Sequence, residues 1–424
     1  MKLIRSLSVY TFILFLNATV SFFIFSITTH KLSPVDLGII YLYNSFTILL
    51  VPFIGVGIQF LLSVDYFKMD KAAFRLQFSN AIMLPVISVL VFTVVFLLLY
   101  FPLRNFIPFR FFFTLILPFS CFLVIMNEII LNLIRNKEKH FLFATYSIVR
   151  NLLEVGLTLL LIVVVGMNWQ GRLWSALVTG ITSGIIIFYL LRSWELLDKN
   201  INKSAIKKIF LTGVPFMPER LGVFVLAYSA SFFIKYYKGT SDVGYYGVGM
   251  QISTIVNISI LALISAFHPF IFKNLSGEPN YRNVKRATLV FIAISFCVTL
   301  ILILFLPLLF KIFIGKEFQA GQIYARYLSI GYFFWSIYAV FLSYLLFLKK
   351  NRTIMSISIV GMTVSIILNF FNVKYFGALG ATYTCIGVNF LMAALMIFFV
   401  HRNYNLRKIF RTSGVVAINK MPGI

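Results

Sequence analysis

The chain has 424 residues, of which 60% are hydrophobic and only 12% are charged, and its mean hydropathy is +0.96. Soluble globular domains carry roughly 25% charged residues, so this composition excludes a soluble fold and predicts a polytopic membrane protein. The three cysteines, Cys121, Cys297 and Cys385, lie in apolar segments without paired spacing, which argues against a disulfide framework or a thiolate metal site.

In chain order, apolar segments follow one another, each long enough for the roughly 20 helical residues that cross a hydrocarbon core. Their apolar character is continuous and does not alternate, which favours helices over a β-barrel. The predicted fold is therefore an all-α polytopic membrane protein with about 12 transmembrane helices. The segments are residues 7–28, 37–62, 79–101, 111–134, 142–166, 173–195, 209–234, 244–270, 288–312, 322–347, 353–375 and 378–400.

The charges are distributed unevenly between the loops. The chain has 37 Lys and Arg against 12 Asp and Glu, which gives a formal net charge of +25. When alternate loops are assigned to two sides, 25 basic residues fall on the side of both termini and nine on the other. Because cytoplasmic loops carry an excess of Lys and Arg, both termini are predicted to be cytoplasmic. The short loops leave no room for a soluble domain that would bind nucleic acid.

Short motifs recur about half a chain length apart, with offsets of 206, 209 and 210 residues. The matching pairs are Asp36-Leu37-Gly38 with Asp242-Val243-Gly244, Gly171-Arg172-Leu173 with Gly380-Ala381-Thr382, and Arg192 with Arg402. A repeat unit of six helices places both copies in the same orientation, with a substrate path between two lobes related by an axis along the membrane normal. We therefore predict two pseudo-symmetric six-helix lobes, residues 1–200 and 201–424.

Three arginines, Arg150, Arg220 and Arg326, lie inside predicted spans. An ionisable residue at that depth costs about 2.5 to 3.5 kcal/mol on insertion scales, so it indicates a functional site by default. Glu154 follows Arg150 by one helical turn, and the two form either part of a substrate site or a self-neutralised pair that joins helices. Arg326 is near the start of the tenth span, where it is either a substrate contact or reaches the membrane interface.

Glu219 and Arg220 are adjacent on the seventh span, about 100° apart around a helix. Pro215 and Pro218 come just before them and lack N–H donors, which predicts a kinked or broken helix. A broken helix that carries charge at membrane depth is a recurring feature of transport sites. The alternative is that both charged side chains lie in the headgroup region.

Four segments resemble the polysaccharide-exporter branch of the multidrug/oligosaccharidyl-lipid/polysaccharide (MOP) transporter superfamily, and specifically the Wzx-type O-antigen flippases. These segments are residues 32–41, 214–218, 242–246 and 377–383. The resemblance extends over the whole chain in length, number of spans and order of motifs. It implies a bacterial inner-membrane carrier that moves an undecaprenyl-pyrophosphate-linked oligosaccharide, such as the O-antigen repeat unit of lipopolysaccharide, to the periplasmic leaflet by alternating access.

Such a carrier needs cationic side chains that replace the lost hydration of the pyrophosphate, and the donor fork of arginine matches phosphate oxygens. We therefore predict Arg150, Arg220 and Arg326 as substrate-binding residues, with Glu154 and Glu219 orienting or neutralising them. The sequence has no nucleotide-binding loop, zinc-protease helix or Cys/His cluster, so neither a cofactor, a metal nor an enzymatic activity is predicted.

Two other functions remain open at this stage. A cation-coupled multidrug exporter of the same superfamily would concentrate unpaired carboxylates in its lumen, whereas Glu128, Glu154 and Glu219 here accompany three arginines. An integral-membrane polysaccharide polymerase would need a sizeable periplasmic loop with catalytic residues. The expected partners are membrane lipids, a polysaccharide polymerase and chain-length proteins. Coupling to H⁺ or Na⁺ is left open.

Overall fold

The computed structural model describes residues 19–104, 107–276 and 279–404, and every regular element within these ranges is helical. Short 3₁₀ or π turns interrupt the α-helices at Leu160–Val164, Val214–Phe216, Phe224–Tyr228 and Lys316–Phe318. The α-helices are α1 (19–31), α2 (Pro34–Gly55), α3 (Ile58–Lys68), α4 (Lys71–Leu103), α5 (Phe111–Asn136), α6 (His140–Leu159), α7 (Trp169–Ser193), α8 (Lys203–Gly213), α9 (Met217–Val223), α10 (Ala230–Lys238), α11 (Thr240–Leu275), α12 (Tyr281–Phe313), α13 (Gly321–Phe347), α14 (Asn351–Phe376) and α15 (Ala378–Tyr404).

Eleven helical segments among the described residues are long and apolar enough to cross a membrane. Each corresponds to one of the predicted spans from the second to the twelfth. The prediction of an all-α polytopic membrane protein is confirmed. Most of the first predicted span, residues 7–28, lies outside the described residues, as do both termini, so their cytoplasmic location stays a prediction. The side of the helices that carries the α5–α6 and α7–α8 connections is called the predicted cytoplasmic side below.

The second predicted span is not one helix but two, α2 and α3. Val56 and Gly57 between them both adopt left-handed backbone angles, with φ of 47° and 70°. Glycine has no Cβ and tolerates this conformation, whereas a branched side chain such as that of Val56 tolerates it poorly. The break was not predicted, because both residues lie within an uninterrupted apolar run.

The seventh predicted span is also broken, and here the prediction is confirmed. It consists of α8, the 3₁₀ turn Val214–Phe216, α9, the π turn Phe224–Tyr228 and α10. Pro215 lies inside the 3₁₀ turn and Pro218 in the first turn of α9, where each lacks the N–H donor that a continuous helix requires.

The two broken segments cross each other closely. A Cβ atom on Gly213 would overlap the carbonyl oxygen of Val56, and a Cβ atom on Gly57 would lie 2.7 Å from the carbonyl oxygen of Gly213. No side chain separates the two backbones at this point. The crossing brings α3 beside α8 and the 3₁₀ turn that follows it.

By internal contacts, the described chain divides into two compact units. The first includes the described residues up to Gly244 together with Phe313–Phe318, and the second includes Tyr245–Ile312 and the residues from Gln319 onwards. The predicted six-helix lobes, residues 1–200 and 201–424, concern the sequence repeat and stay a prediction.

Two pairs of connecting turns have the same backbone geometry at an offset of 211 residues. Glu138 after α5 and Lys349 after α13 both have φ of 54°, and Gly166 and Gly377 have φ of 75° and 64°. In the first pair, the residue after each left-handed position donates its N–H to a carbonyl five residues earlier, Lys139 to Ile134 and Lys350 to Leu345. This offset agrees with the spacing of the sequence motifs.

Candidate functional site

A three-residue ion cluster joins α6 to α7 within the first unit. Arg172 Nη2 lies 2.7 Å from Glu154 Oε1, and Arg150 Nη2 lies 3.7 Å from Glu154 Oε2. The three side chains are between 19% and 30% exposed, so they are neither fully buried nor surface groups. The carboxylate is held mainly by Arg172, and the predicted Arg150–Glu154 pair is the longer of the two contacts.

Helix geometry and two hydroxyl groups position this cluster. Glu154 follows Arg150 by four residues, so both project from the same face of α6. Thr158 Oγ1 and Ser175 Oγ lie 2.7 Å apart in the buried contact between α6 and α7. Arg172 Nη1 donates to these two oxygens at 3.3 and 3.4 Å. The guanidinium of Arg172 therefore has acceptors on two sides and a fixed orientation.

The cluster has more donors than acceptors. Two guanidinium groups share one carboxylate, which leaves a formal charge of +1. The Nε atom of Arg150 is buried and has no hydrogen-bond partner within the described part of the chain. An unsatisfied buried donor costs roughly 1 to 3 kcal/mol, and more on a charged group. An anionic ligand beside the cluster would balance its excess positive charge.

A second ion pair lies where α5 approaches α9. Arg220 Nη1 and Nη2 donate to Glu128 Oε1 and Oε2 at 3.1 and 2.9 Å, which is a two-point contact. The guanidinium also lies 5.2 Å from the ring of Phe60 on α3, and that ring stacks on Phe216 in the 3₁₀ turn. This pair is electrically neutral and connects both broken segments to α5.

The structure places the other predicted site residues elsewhere. Glu219 is exposed and makes no ion pair with any described residue, so the carboxylate beside Arg220 is that of Glu128. Arg326 is exposed on α13 in the second unit, also without an ion pair within the described ranges. Of the five predicted residues, Arg150 and Glu154 are brought together, and Arg220 stands in a separate pair.

Arg172 and Glu128 were not predicted as site residues. From its place just before an apolar segment, Arg172 was counted among the cations of an outer loop, but it lies in the first turn of α7. Glu128 was considered to lie near the predicted cytoplasmic end of its span and was not assigned a partner. The one signal for it was its position as an acidic residue within an otherwise apolar run.

The second repeat has no equivalent ion cluster at the matching positions. At the 211-residue offset, Arg150, Glu154 and Thr158 correspond to Gly361, Ser365 and Asn369. Asn369 Nδ2 lies 3.4 Å from Ser365 Oγ, so this position in α14 is polar but uncharged. Among the described residues, no three His, Cys, Asp or Glu side chains converge as metal ligands would.

Comparison with known proteins identifies the fold and the family. The chain is similar to an inward-facing multidrug resistance MATE family transporter of the MOP superfamily, with 15% identity, a TM-score of 0.71 and 94% and 96% of the two chains covered. It is also similar to a ligand complex of the MATE multidrug transporter DinF-BH (15% identity, TM-score 0.64, 97% of each chain). A third similar structure is the MATE transporter ClbM in complex with Rb⁺ (16% identity, TM-score 0.59, 95% and 96% covered).

These structures define the class as a multi-pass membrane protein with the fold of the MATE transporters, and the predicted MOP superfamily is confirmed. Residues 215–371 match the MatE family model, and residues 3–275 match the model described as polysaccharide biosynthesis protein. Because that second match covers more than half of the chain, the chain belongs to the polysaccharide biosynthesis protein family. No curated protein matches it.

Proposed function

We propose that the protein is a flippase that moves an undecaprenyl-pyrophosphate-linked oligosaccharide across the bacterial inner membrane by alternating access. The observation that carries this proposal is the Arg150–Glu154–Arg172 cluster, with its excess positive charge and unsatisfied donor. Polysaccharide biosynthesis family membership and a transporter fold support it. An anionic lipid-linked sugar fits all three observations.

Each charged residue has a distinct role in this proposal. Arg150 binds the anionic group of the substrate with the exposed part of its guanidinium, while Glu154 neutralises the arginines when the site is empty. Arg172 holds Glu154 in place. Arg220 becomes a substrate contact only when its pair with Glu128 opens. Arg326 and Glu219, both exposed, remain proposed contacts near the entrance or exit of the path.

The rival function is cation-coupled drug export, because the similar structures include multidrug transporters and one MATE transporter with Rb⁺. Such a carrier needs a carboxylate that is free to bind a cation. In the described spans, Glu128 and Glu154 are each paired with an arginine, and Glu219, which has no ion pair there, lies exposed next to Arg220 in the chain. This pairing favours an anionic substrate over a cationic one.

The deciding experiment measures surface polysaccharide and the location of the lipid-linked intermediate in a strain that lacks this protein. The proposal expects loss of the polymer, with the repeat unit retained on the cytoplasmic leaflet. Single repeat units accumulating on the periplasmic leaflet would instead indicate a polymerisation defect, involving the polymerase and chain-length partners. Normal polymer with altered drug tolerance would favour the exporter.

A further inference from the structure

Two lysines of the α5–α6 turn lie over one tryptophan ring at the end of α7. The Nζ atoms of Lys137 and Lys139 are 4.6 and 5.2 Å from the centre of the Trp194 ring. The electron-rich face of the indole ring attracts a cation at this distance. These contacts hold two positive charges against one aromatic ring, at the predicted cytoplasmic side.

The backbone on both sides of this contact is fixed by the same kind of turn. Glu138 and Glu195 have left-handed angles, φ of 54° and 55°, which are unfavourable for a residue other than glycine. The following residues donate back into their helices, Lys139 to Ile134 and Leu196 to Leu191. The lysines and the tryptophan are therefore held by two well-defined turns.

The tryptophan turn is also anchored to α4. Ser79 Oγ donates to the Leu196 carbonyl at 3.1 Å and accepts from the Asp198 N–H at 2.6 Å. Ser79 is only 4% exposed, so this anchor is buried. The arrangement around Trp194 is thus part of the packed helix ends and does not depend on surface side chains alone.

Three lysines, Lys137, Lys139 and Lys71, gather positive charge at this point. Partial burial lowers the pKa of the Lys137 ammonium, and the neighbouring charges of Lys139 and Lys71 lower that pKa further. Lys71 itself lies 3.6 Å from Glu195, and both of these side chains are highly exposed. A bound anion would relieve the repulsion between the lysines.

We propose that Lys137, Lys139 and Trp194 form a binding site for the phosphate group of a lipid at the predicted cytoplasmic side. Lysine binds phosphate as a point charge, and tryptophan at a helix end lies at headgroup depth. The phosphate belongs either to a polyprenyl diphosphate, the class that the proposed function transports, or to an anionic phospholipid of the bilayer. The site is separate from Arg150 and does not rest on the proposed function.

The chain contains a matched control for the ordinary excess of lysine in cytoplasmic loops. The α13–α14 turn carries Lys349 and Lys350 with the same left-handed angle and the same hydrogen-bond pattern. Neither of these lysines stacks on an aromatic ring in the described part of the chain. Removing the two lysines from either turn changes the net charge equally.

The experiment uses the full chain in phosphatidylcholine nanodiscs, with Trp169, Trp174 and Trp335 replaced by Phe so that emission reports on Trp194. Farnesyl diphosphate is titrated, with farnesol as the control without phosphate. Lys137→Gln/Lys139→Gln is compared with Lys349→Gln/Lys350→Gln and with Lys137→Arg/Lys139→Arg. Native mass spectrometry counts the farnesyl diphosphate molecules bound to the chain that keeps all its tryptophans. This measurement still tests binding if the triple Trp→Phe variant fails to fold.

We expect farnesyl diphosphate, but not farnesol, to change Trp194 emission. The Lys137→Gln/Lys139→Gln variant should bind roughly 30-fold more weakly, since each lysine near a charged surface contributes about a factor of five. The Arg variant and the α13–α14 control should bind normally. If about 30% phosphatidylglycerol in the disc produces the same emission change and prevents farnesyl diphosphate from binding, the phosphate group that the site binds is that of a bulk phospholipid.

Equal binding by the two Gln double variants would overturn the proposal, as would an equal response to farnesol. These results concern binding alone. They are therefore distinguishable from a normal polymer level in the deletion strain, which would contradict the proposed transport function and leave this site intact.

Discussion

Gly38 and Gly244 occupy the same position in the two copies of the Asp-x-Gly motif, and each lies against the backbone at the start of the helix that carries the other. A Cβ atom on Gly38 would overlap the carbonyl oxygen of Thr240, and one on Gly244 would overlap the carbonyl oxygen of Pro34. The contact is therefore reciprocal. It gives the sequence repeat a physical role, because both copies require a residue without a side chain.

Gly38→Ala and Gly244→Ala are each expected to destabilise the protein by about 1 to 3 kcal/mol, because the clash is with backbone and cannot be relieved by a rotamer change. Thermal unfolding of the purified protein in detergent measures this effect. Gly387→Ala is the matched control, since a Cβ atom there meets nothing within 4 Å. Equal melting temperatures for all three variants would contradict the close packing.

Arg172→Gln is expected to lower surface polysaccharide severely, because Glu154 loses its 2.7 Å partner and retains only the 3.7 Å contact to Arg150. Arg172→Lys keeps the charge but loses the donor fork, so an intermediate level is expected. Polymer per cell is measured with protein abundance held equal. Arg192→Gln, an exposed cation in the last turn of the same helix, serves as control. Normal polymer in Arg172→Gln would remove this residue from the site.

Glu154→Gln tests whether the carboxylate competes with the substrate. Its removal frees the donors of both arginines, so binding of a polyprenyl diphosphate should tighten while the polymer level falls because release becomes slower. Binding to the purified variant and polymer in cells are measured together. Arg150→Gln should weaken binding of the polyprenyl diphosphate, since it removes one of the two positive charges of the cluster. Weaker binding in Glu154→Gln would assign the carboxylate a purely structural role.

Glu128→Gln or Arg220→Gln is expected to cost about 1 to 3 kcal/mol of stability. This is less than the roughly 3 to 5 kcal/mol typical for a fully buried pair, because the two side chains are 30% and 29% exposed. The double variant Glu128→Arg/Arg220→Glu should be more stable than the sum of its two single variants implies, because it restores an ion pair. A double-mutant cycle with Glu128→Arg and Arg220→Glu measures this recovery. Glu219→Gln should change the unfolding free energy by less than about 0.5 kcal/mol. A large effect of Glu219→Gln would mean that the adjacent carboxylate also takes part in the pair.

A feature could be predicted from the sequence when its cause lies in neighbouring residues, and not when its cause is a contact with a distant part of the chain. The break near Pro215 and Pro218 was predictable because a missing N–H acts at its own position in any helix. The break at Val56 and Gly57 was not predictable from the sequence. It accompanies the close approach of Gly213, which is far away in the sequence.

The same distinction applies to the candidate site. Arg150 and Glu154 are four residues apart, so a helical period is enough to bring them together. Arg220 and Glu128 are 92 residues apart, and only the tertiary fold selects this partner over the adjacent Glu219. Arg172 was missed because counting loop charges does not distinguish a loop residue from the first turn of a helix.

The crossing of Gly57 with Gly213 determines how α8 is able to move. Sliding by one residue in either direction would put a side chain between two backbones that leave no room for it, so the register is locked. Tilting about the crossing point preserves this contact, but it must break the hydrogen bond from the Asn202 N–H to Asn80 Oδ1 just before α8. Lys203 begins the helix that Gly213 ends, about 15 Å away along its axis, so a tilt of about 10° displaces Lys203 by roughly 2.6 Å. The Gly57–Gly213 crossing is thus the fixed point of the tilt. The chain continues beyond it through the 3₁₀ turn to α9, which carries Arg220.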